Sequence, residues 1–365
     1  MSKKTAIISL DILSRKAYEE FKKLSFLQRK SLDEIWQYYP MIGESFDSKT
    51  MTREIAAIEP YLLLHYLKNK GFKCKLWYRN SLFIYNDSLY KIANGKIEKI
   101  ALEGLYYFSL RETFSHPFFT LLDILLQNNG GKIAKPNKTT MLNNGCINKM
   151  YGIKELYMYR KEYLQDIIIP YNIRSVDYEV FFDFIKKELG SKVVFKNDCI
   201  QEGRGIIFKD IATNIAKELY DALDMHMTKQ KELIITPLHN IKAEYRCYFT
   251  KYDNIKIFSI KQRVNLTKED ELFEKENIQI NVNLQAKWLL IEQDTQIFQK
   301  ASKTATDMLN ILSYDTGCLE FAVTDDDKII FFEVNQMAGP LPFKGEDCKN
   351  INKYYLCIFN GIIKE

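Results

Sequence analysis

The stretch Gly317 to Pro340 reads G-C-L-E-F-A-V-T-D-D-D-K-I-I-F-F-E-V-N-Q-M-A-G-P. Two strand-like runs, Cys318 to Val323 and Lys328 to Val334, flank the acidic segment Asp325 to Asp327, a pattern that predicts a β-hairpin. Side chains alternate faces along a strand, so Glu333 and Asn335 share a face, and Glu320 on the partner strand can come opposite them. The three aspartates of the turn read as solvated. Glu320 and Glu333 differ, because they stand inside apolar runs where an unpaired charge costs roughly 3 kcal/mol or more. Two carboxylates and a carboxamide are hard oxygen ligands. They suit Mg²⁺ shared with nucleotide phosphates, since that ion takes few protein oxygens and keeps positions for phosphate and water.

Outward from the hairpin, composition sets the frame. A chain of 365 residues suggests two or three subdomains, and its 46% apolar content is that of an ordinary globular protein. No run approaches the ~18 apolar residues of a membrane helix, so no membrane partner is expected. The N-terminal M-S-K-K-T-A-I-I-S-L places lysines before a short apolar run, but Asp11 interrupts it and no small-residue cleavage site follows, which reads against a secretory signal. Seven scattered cysteines without a C-x-x-C pair predict reduced thiols and a cytoplasmic location. The net charge of +5 comes from 52 basic and 47 acidic residues spread along the chain, which gives a nucleic-acid partner little support.

The N-terminal third alternates strand and helix patterns. Strands are expected at Thr5 to Leu10, Phe72 to Tyr78, Ser81 to Tyr85 and Gly104 to Leu110, with helices near Tyr18 to Phe26, from Ile55 to Lys68 and from Phe118 to Gln127. This alternation predicts a small α/β unit with parallel pairing. Arg79 and Arg111 fall near strand ends, where open α/β sheets bind ligands. His65 and His116 have no partner at useful spacing and read as structural.

Farther along, S-K-V-V-F-K (Ser191 to Lys196) leads into N-D-C-I-Q-E-G-R-G-I-I-F. Gly203 and Gly205 let the backbone N–H groups of a loop approach phosphates, and Lys196 ends the preceding strand as a point charge. A helix from Ile211 to Met227 and a short strand, Leu233 to Thr236 before Pro237, follow. Two more strands are expected at Glu244 to Phe249 and Ile255 to Ile260, then Lys261-Gln262-Arg263, and residues 285 to 312 read as helix. Arg246 alternates with Tyr245, Cys247 and Phe249, so it lies on one sheet face. The bland reading is an exposed arginine on a β face, with Glu244 as a partner within reach.

Taken in order, these segments resemble the ATP-grasp superfamily, which includes D-alanine:D-alanine ligase, glutathione synthetase and the glutamate-adding ligases. The resemblance rests on an acidic strand residue, a turn, then E-x-N and a Gly-Pro, here Glu320, Glu333, Asn335 and Gly339-Pro340, and it extends back to Asn148-Lys149. It implies an α+β / α/β chain with the ATP-grasp fold: an N-terminal α/β pre-ATP-grasp domain followed by two α+β subdomains clasping the nucleotide. The implied units are a substrate-side domain at 1–135, a first subdomain with lysine and glycine loop at 136–236, and a C-terminal subdomain with the hairpin at 237–365.

The resemblance also implies roles. Lys149, or Lys154 in its place, and Lys196 correspond to two ATP-contacting lysines, and Gly203 and Gly205 to a mobile loop, with fewer glycines than in many relatives. Leu233, Ile234, Ile235 and Thr236 correspond to an adenine hinge acting through its backbone. Arg246 and Arg263, with Lys261 as a third charge, correspond to groups that reach the terminal phosphates and an acyl phosphate. Glu320, Glu333 and Asn335 correspond to Mg²⁺ ligands, the first acid being Asp in many relatives. The implied cofactors are ATP and Mg²⁺. The implied activity is ligation, in which a carboxylate is phosphorylated with release of ADP and then attacked by an amine or other nucleophile. The substrate is a small molecule or a peptide, including peptides made on the ribosome. A phosphotransferase acting on a non-carboxylate acceptor and a nucleotide-binding protein without turnover are the alternatives. AMP or a phosphorylated product without amide marks the first, and binding without turnover marks the second. Self-association into a homo-oligomer is left open.

Overall fold

The structure is a computed structural model and describes residues 5–10, 63–64, 66–78, 81–108, 117–134, 137, 149–169, 177–197, 206–211, 233–264, 287–335 and 347–364. In the N-terminal part the strands are β1 (Thr5–Leu10), β2 (Lys73–Tyr78), β3 (Leu82–Tyr85), β4 (Ser88–Ala93), β5 (Lys96–Ile100), β6 (Gly104–Phe108) and β7 (Gly131–Ala134). Strands β2-β1-β6-β7 form a sheet whose neighbours are all parallel, as the alternating pattern predicts. Parallel neighbours need a crossover, and α1 (Pro117–Gln127) supplies it between β6 and β7. The apolar residues Phe119, Leu122, Leu125 and Leu126 of α1 are buried against Tyr106 and Ile133.

Strand β3 departs from the expected parallel arrangement. It joins β4 and β5 in a separate antiparallel meander, and neither of those two strands is anticipated from the apolar pattern. The signal lies in the turns. Asn86 and Asp87 have φ of 42° and 53°, Asn94 and Gly95 have 52° and 70°, and two successive positive φ values mark the tight hairpin turns that Asn, Asp and Gly favour. Leu89 and Ile100 tie the meander to the α1 core.

The middle of the chain carries α2 (Lys149–Tyr159), α3 (Tyr178–Leu189) and an antiparallel sheet, order β10-β8-β9, of β8 (Lys192–Asn197), β9 (Ile206–Asp210) and β10 (Leu233–Pro237). Asp177 caps α3 by accepting from the N–H groups of Glu179 and Val180, and Gly190 ends the helix at φ 85°. Phe182 of α3 packs edge-on against Phe195 of β8, with centroids 6.3 Å apart.

The C-terminal sheet is antiparallel, order β13-β12-β11-β14-β15, built from β11 (Ile241–Thr250), β12 (Lys256–Val264), β13 (Lys287–Leu290), β14 (Thr316–Thr324) and β15 (Ile329–Asn335). The hairpin is the expected one, closed by Asp327 at φ 61°. The helix expected over 285–312 is corrected: residues 287–290 are an edge strand paired with β12, and α4 (Gln296–Leu309) begins only after Thr295. Thr295 accepts from Phe298 N–H at 3.2 Å, so a cap sets the start of the helix where the apolar pattern alone does not. One sheet face carries Cys247, Phe249, Ile260, Leu319, Phe321 and Val334, buried against Ala305, Met308 and Leu309 of α4 and Ile153 and Leu156 of α2. On the other face α5 (Asp347–Lys364) brings Tyr354 edge-on to Tyr248 and Phe258, and Thr316 Oγ1 donates to the Tyr354 hydroxyl at 2.8 Å. Among the described residues no helix is long and apolar enough to cross a membrane.

Candidate active site

Antiparallel pairing turns three distant segments into rows that run across the C-terminal sheet. Arg246 on β11 pairs with Lys261 on one side and with Glu320 on the other, and Glu320 pairs with Glu333. Lys261, Arg246, Glu320 and Glu333 therefore stand side by side on one face. One step along the strands, the same face carries Ser259, Tyr248, Cys318 and Asn335. One step the other way it carries Arg263, Glu244 and Ala322. A register shift after Glu320 makes Phe332 an extra residue on β15, so Glu333 stays opposite Glu320 while Phe331 pairs with Phe321.

Two ion pairs occupy this face. Arg246 Nε lies 3.0 Å from Glu320 Oε1, and its Nη2 donates to Oε2 at 3.3 Å, with only 18% and 9% of the two side chains exposed. Arg263 Nη1 donates to Glu244 Oε2 at 3.1 Å. The bland reading of an exposed arginine beside Glu244 is thus corrected: Arg246 is largely buried and takes Glu320 across one edge of its strand, and Glu244 belongs to Arg263, directly opposite on β12. Burial pushes the Glu320 carboxyl up to about 7. Arg246 pulls it down and Glu333 and Glu244 push it up further. Burial also pushes the neighbouring Cys318 thiol well up, so it stays a neutral thiol.

This donor set fits a hard divalent cation. A cation held by Glu320 and Glu333 would offset the burial and the like charge that raise Glu320, and Asn335 would add a neutral oxygen. Among the described residues no cluster of three His, Cys, Asp or Glu forms a closed metal cage. Two carboxylates and a carboxamide leave about half of an octahedron to other ligands, as a phosphate-held ion requires.

Beside β15 a cleft opens toward the middle sheet. Its walls include Ile167, Lys196, Ile234, Thr236, Phe331 and Phe332. Lys196 Nζ sits 5.3 Å from the centre of the Phe332 ring, so the lysine of the sequence motif stands over the strand that carries Glu333. The helix α2 approaches the back of this wall closely: a Cβ at Gly152 would lie 2.7 Å from the Phe331 ring. Two buried polar atoms here have no hydrogen-bond partner, Thr236 Oγ1 and His239 Nε2. Burial lowers His239, the positive charges of Lys328 and Lys196 add to this, and Asp326 and Asp166 oppose it, which keeps the ring neutral near pH 7.

The other expected residues are distributed as follows. Lys149 is the first residue of α2, and Lys154 is exposed on that helix. Gly203, Gly205, the Gly339-Pro340 pair, Arg79, Arg111, His65 and His116 lie outside the described residues, as do most of the helices expected near Tyr18 to Phe26 and over 55–68 and 211–227. Three features escape the sequence pattern: the Arg263 to Glu244 pair, the position of Cys318 within the row system, and the Thr236 hydroxyl. The first two depend on register between strands, and the third on burial.

No family model matches the sequence, and no curated protein matches it either. Solved structures do. D-alanyl-alanine synthetase A from Vibrio cholerae O1 biovar eltor is 11% identical and superposes with a TM-score of 0.58 over 100% of this chain and 99% of that one. D-alanine–D-alanine ligase from Bacillus anthracis is 12% identical, with a TM-score of 0.57 over 100% and 97%. The ATP-grasp ligase PsnB, solved with a minimal precursor, is 10% identical, with a TM-score of 0.50 over 98% and 100%. Likeness at such low identity speaks for architecture alone, and the architecture is the ATP-grasp fold.

Proposed function

We propose that this chain, built on the ATP-grasp fold, is an ATP-dependent ligase that activates a carboxylate as an acyl phosphate and joins it to an amine. The supporting observation is the transverse row Lys261, Arg246, Glu320, Glu333, where two cations and two acids from β12, β11, β14 and β15 meet beside the Lys196 cleft. In this reading Glu320, Glu333 and Asn335 hold Mg²⁺, which when bound neutralises charge on the β and γ phosphates and orients them. Lys149 and Lys196 hold phosphate oxygens. Arg246, Arg263 and Lys261 neutralise the phosphoryl group as it moves to the substrate carboxylate, and the guanidinium fork suits bidentate contact with a tetrahedral oxyanion.

Such chemistry needs positioning and charge neutralisation rather than a protein nucleophile. The amine then attacks the acyl carbon, the carbon–oxygen bond to phosphate breaks, and inorganic phosphate leaves with that electron pair. The units 1–135, 136–236 and 237–365 divide the labour as substrate side, nucleotide lid and metal platform. Peptides belong in the substrate search beside single amino acids, because both carry the carboxylate and the amine that this reaction joins.

The test is an ADP-release screen over amino acids, dipeptides and short acidic peptides, with product mass measured. The expected result is ADP and an amide for one class, lost in Glu333→Gln by more than the roughly 10- to 100-fold typical of outer-shell changes at metal sites. AMP, or turnover unchanged in that variant, refutes the assignment.

A further inference from the structure

We infer that the outer edge of β5 is an interface between two copies of this chain, which join their meanders into one continuous antiparallel sheet across a two-fold axis at Ile97. The meander has the order β3-β4-β5, so β5 is an edge strand, and among the described residues no strand pairs with its outer side. Its backbone is arranged to accept one. Asn94 and Gly95 form the two-residue turn between β4 and β5, and the flanking pair Ala93↔Lys96 closes that turn as a hydrogen-bonded pair. Bonded pairs alternate along such a ladder, so Ile97 turns its N–H and C=O away from β4, toward the open edge. A row of this kind is a template for another strand.

The side chains supply an apolar part and a charge pattern. Ile92 and Ile97 stand opposite each other on the outward face, 52% and 66% exposed, and the stacked rings of Phe83 and Tyr90 share that face. The inward face packs Ile84, Leu89 and Ile100 against α1. Charge selects the occupant. Strand β5 reads K-I-E-K-I, from Lys96 to Ile100. A two-fold axis normal to the sheet keeps each face on its own side, so it must pass through a residue paired with its own copy. Centring on Lys96 or Lys99 sets lysine against lysine, and centring on Glu98 sets glutamate against glutamate. Centring on Ile97 sets Lys96 of each copy opposite Glu98 of the other. It also continues two rows through the axis: the Lys91–Glu98 ion pair of 2.9 Å gains a second lysine, and the Ile92–Ile97 pair becomes a continuous isoleucine row. Lysines ordinarily keep an edge strand single. Glu98, two residues from Lys96, turns the same charges into a match for an antiparallel copy.

Sedimentation equilibrium of the full chain tests this, with Lys96→Glu, Glu98→Lys, an equimolar mixture of those two, and Ile97→Lys beside the wild type. The expected result is a wild-type dimer whose dissociation constant rises roughly tenfold or more in Lys96→Glu and in Glu98→Lys alone, because both pairs across the axis become like-charged. In the mixture opposite charges face each other again, and affinity returns to within about threefold of wild type. Ile97→Lys alters an exposed position, so folding is retained, and it sets like charges on the axis, so the variant is expected to be monomeric. A monomeric wild type, or a dimer that all three variants leave at wild-type strength, overturns the interface. So does a mixture that stays as weak as its components while circular dichroism shows both folded.

Discussion

Replacing Glu320 with Gln should remove a specific piece of the pH dependence of stability. Glu320 is 6% exposed, and burial, with Glu333 and Glu244 nearby, lifts its carboxyl from an ordinary 4.5 to about 7 despite Arg246. Between these values the folded chain holds a proton that the unfolded chain has lost. Stability from this source is therefore fully present below about pH 4.5 and lost as pH rises through about 7. At roughly 1.4 kcal/mol per factor of ten, the loss amounts to about 3 kcal/mol across the window. Gln cannot ionise, so the stability difference between wild type and Glu320→Gln should change by that amount between pH 4.5 and pH 8, other titrations cancelling. Urea unfolding at a series of pH values measures it, and ¹³C-labelled glutamate gives the titration directly. Parallel curves, within about 1 kcal/mol over the range, refute the burial account of this acid. Magnesium with ATP should flatten the wild-type curve if Glu320 is a ligand, because a bound cation favours the ionised form.

Other expectations follow from single contacts. Lys196→Ala should weaken ATP and tripolyphosphate together, by roughly tenfold or more, since a charge-assisted contact is lost; wild-type affinity in calorimetry excludes the phosphate role. Asn137 is 1% exposed and its Oδ1 accepts from the N–H groups of Asp315 at 2.6 Å and Thr316 at 3.2 Å, while its Nδ2 donates to Thr316 O at 2.9 Å. Asn137→Ala strands those groups and should cost about 3 kcal/mol in unfolding free energy; less than about 1 kcal/mol shows that they find other partners. Gly152→Ala adds a methyl 2.7 Å from Phe331, and the expected loss of about 1 to 3 kcal/mol outweighs the gain in helix propensity; a more stable variant shows that the ring yields freely.

Local chemistry made much of this molecule readable. Alternation and turn residues located β1, β8, β11, β14 and β15, and the N-K-G of Asn69 to Gly71 ends the helical residues 66–69, with Gly71 at φ 84°. Asn-Asp and Asn-Gly also encode the β3–β5 meander, although a scan for apolar runs passes over strands as polar as K-I-E-K-I. Residues 287–290 read as helix because K-W-L-L suits either element, and only the free edge of β12 makes it a strand. At the site, residue types and faces were visible, as the shared face of Glu333 and Asn335 shows, but partners were not. Nothing local tells Arg246 to choose Glu320 over Glu244.

The sequence alone determined which side chains alternate to which face, where the turns fall, and that Glu320 and Glu333 are acids set among apolar neighbours. These follow from bonds and sterics within a few residues. Tertiary structure decided the register that lines up Lys261, Arg246, Glu320 and Glu333, the burial that lifts one of those acids, and the closure that leaves the Thr236 hydroxyl without a partner. Each of those depends on segments far apart in the chain coming together, as Arg246 and Glu320 do across 74 positions, and on the water that their meeting excludes.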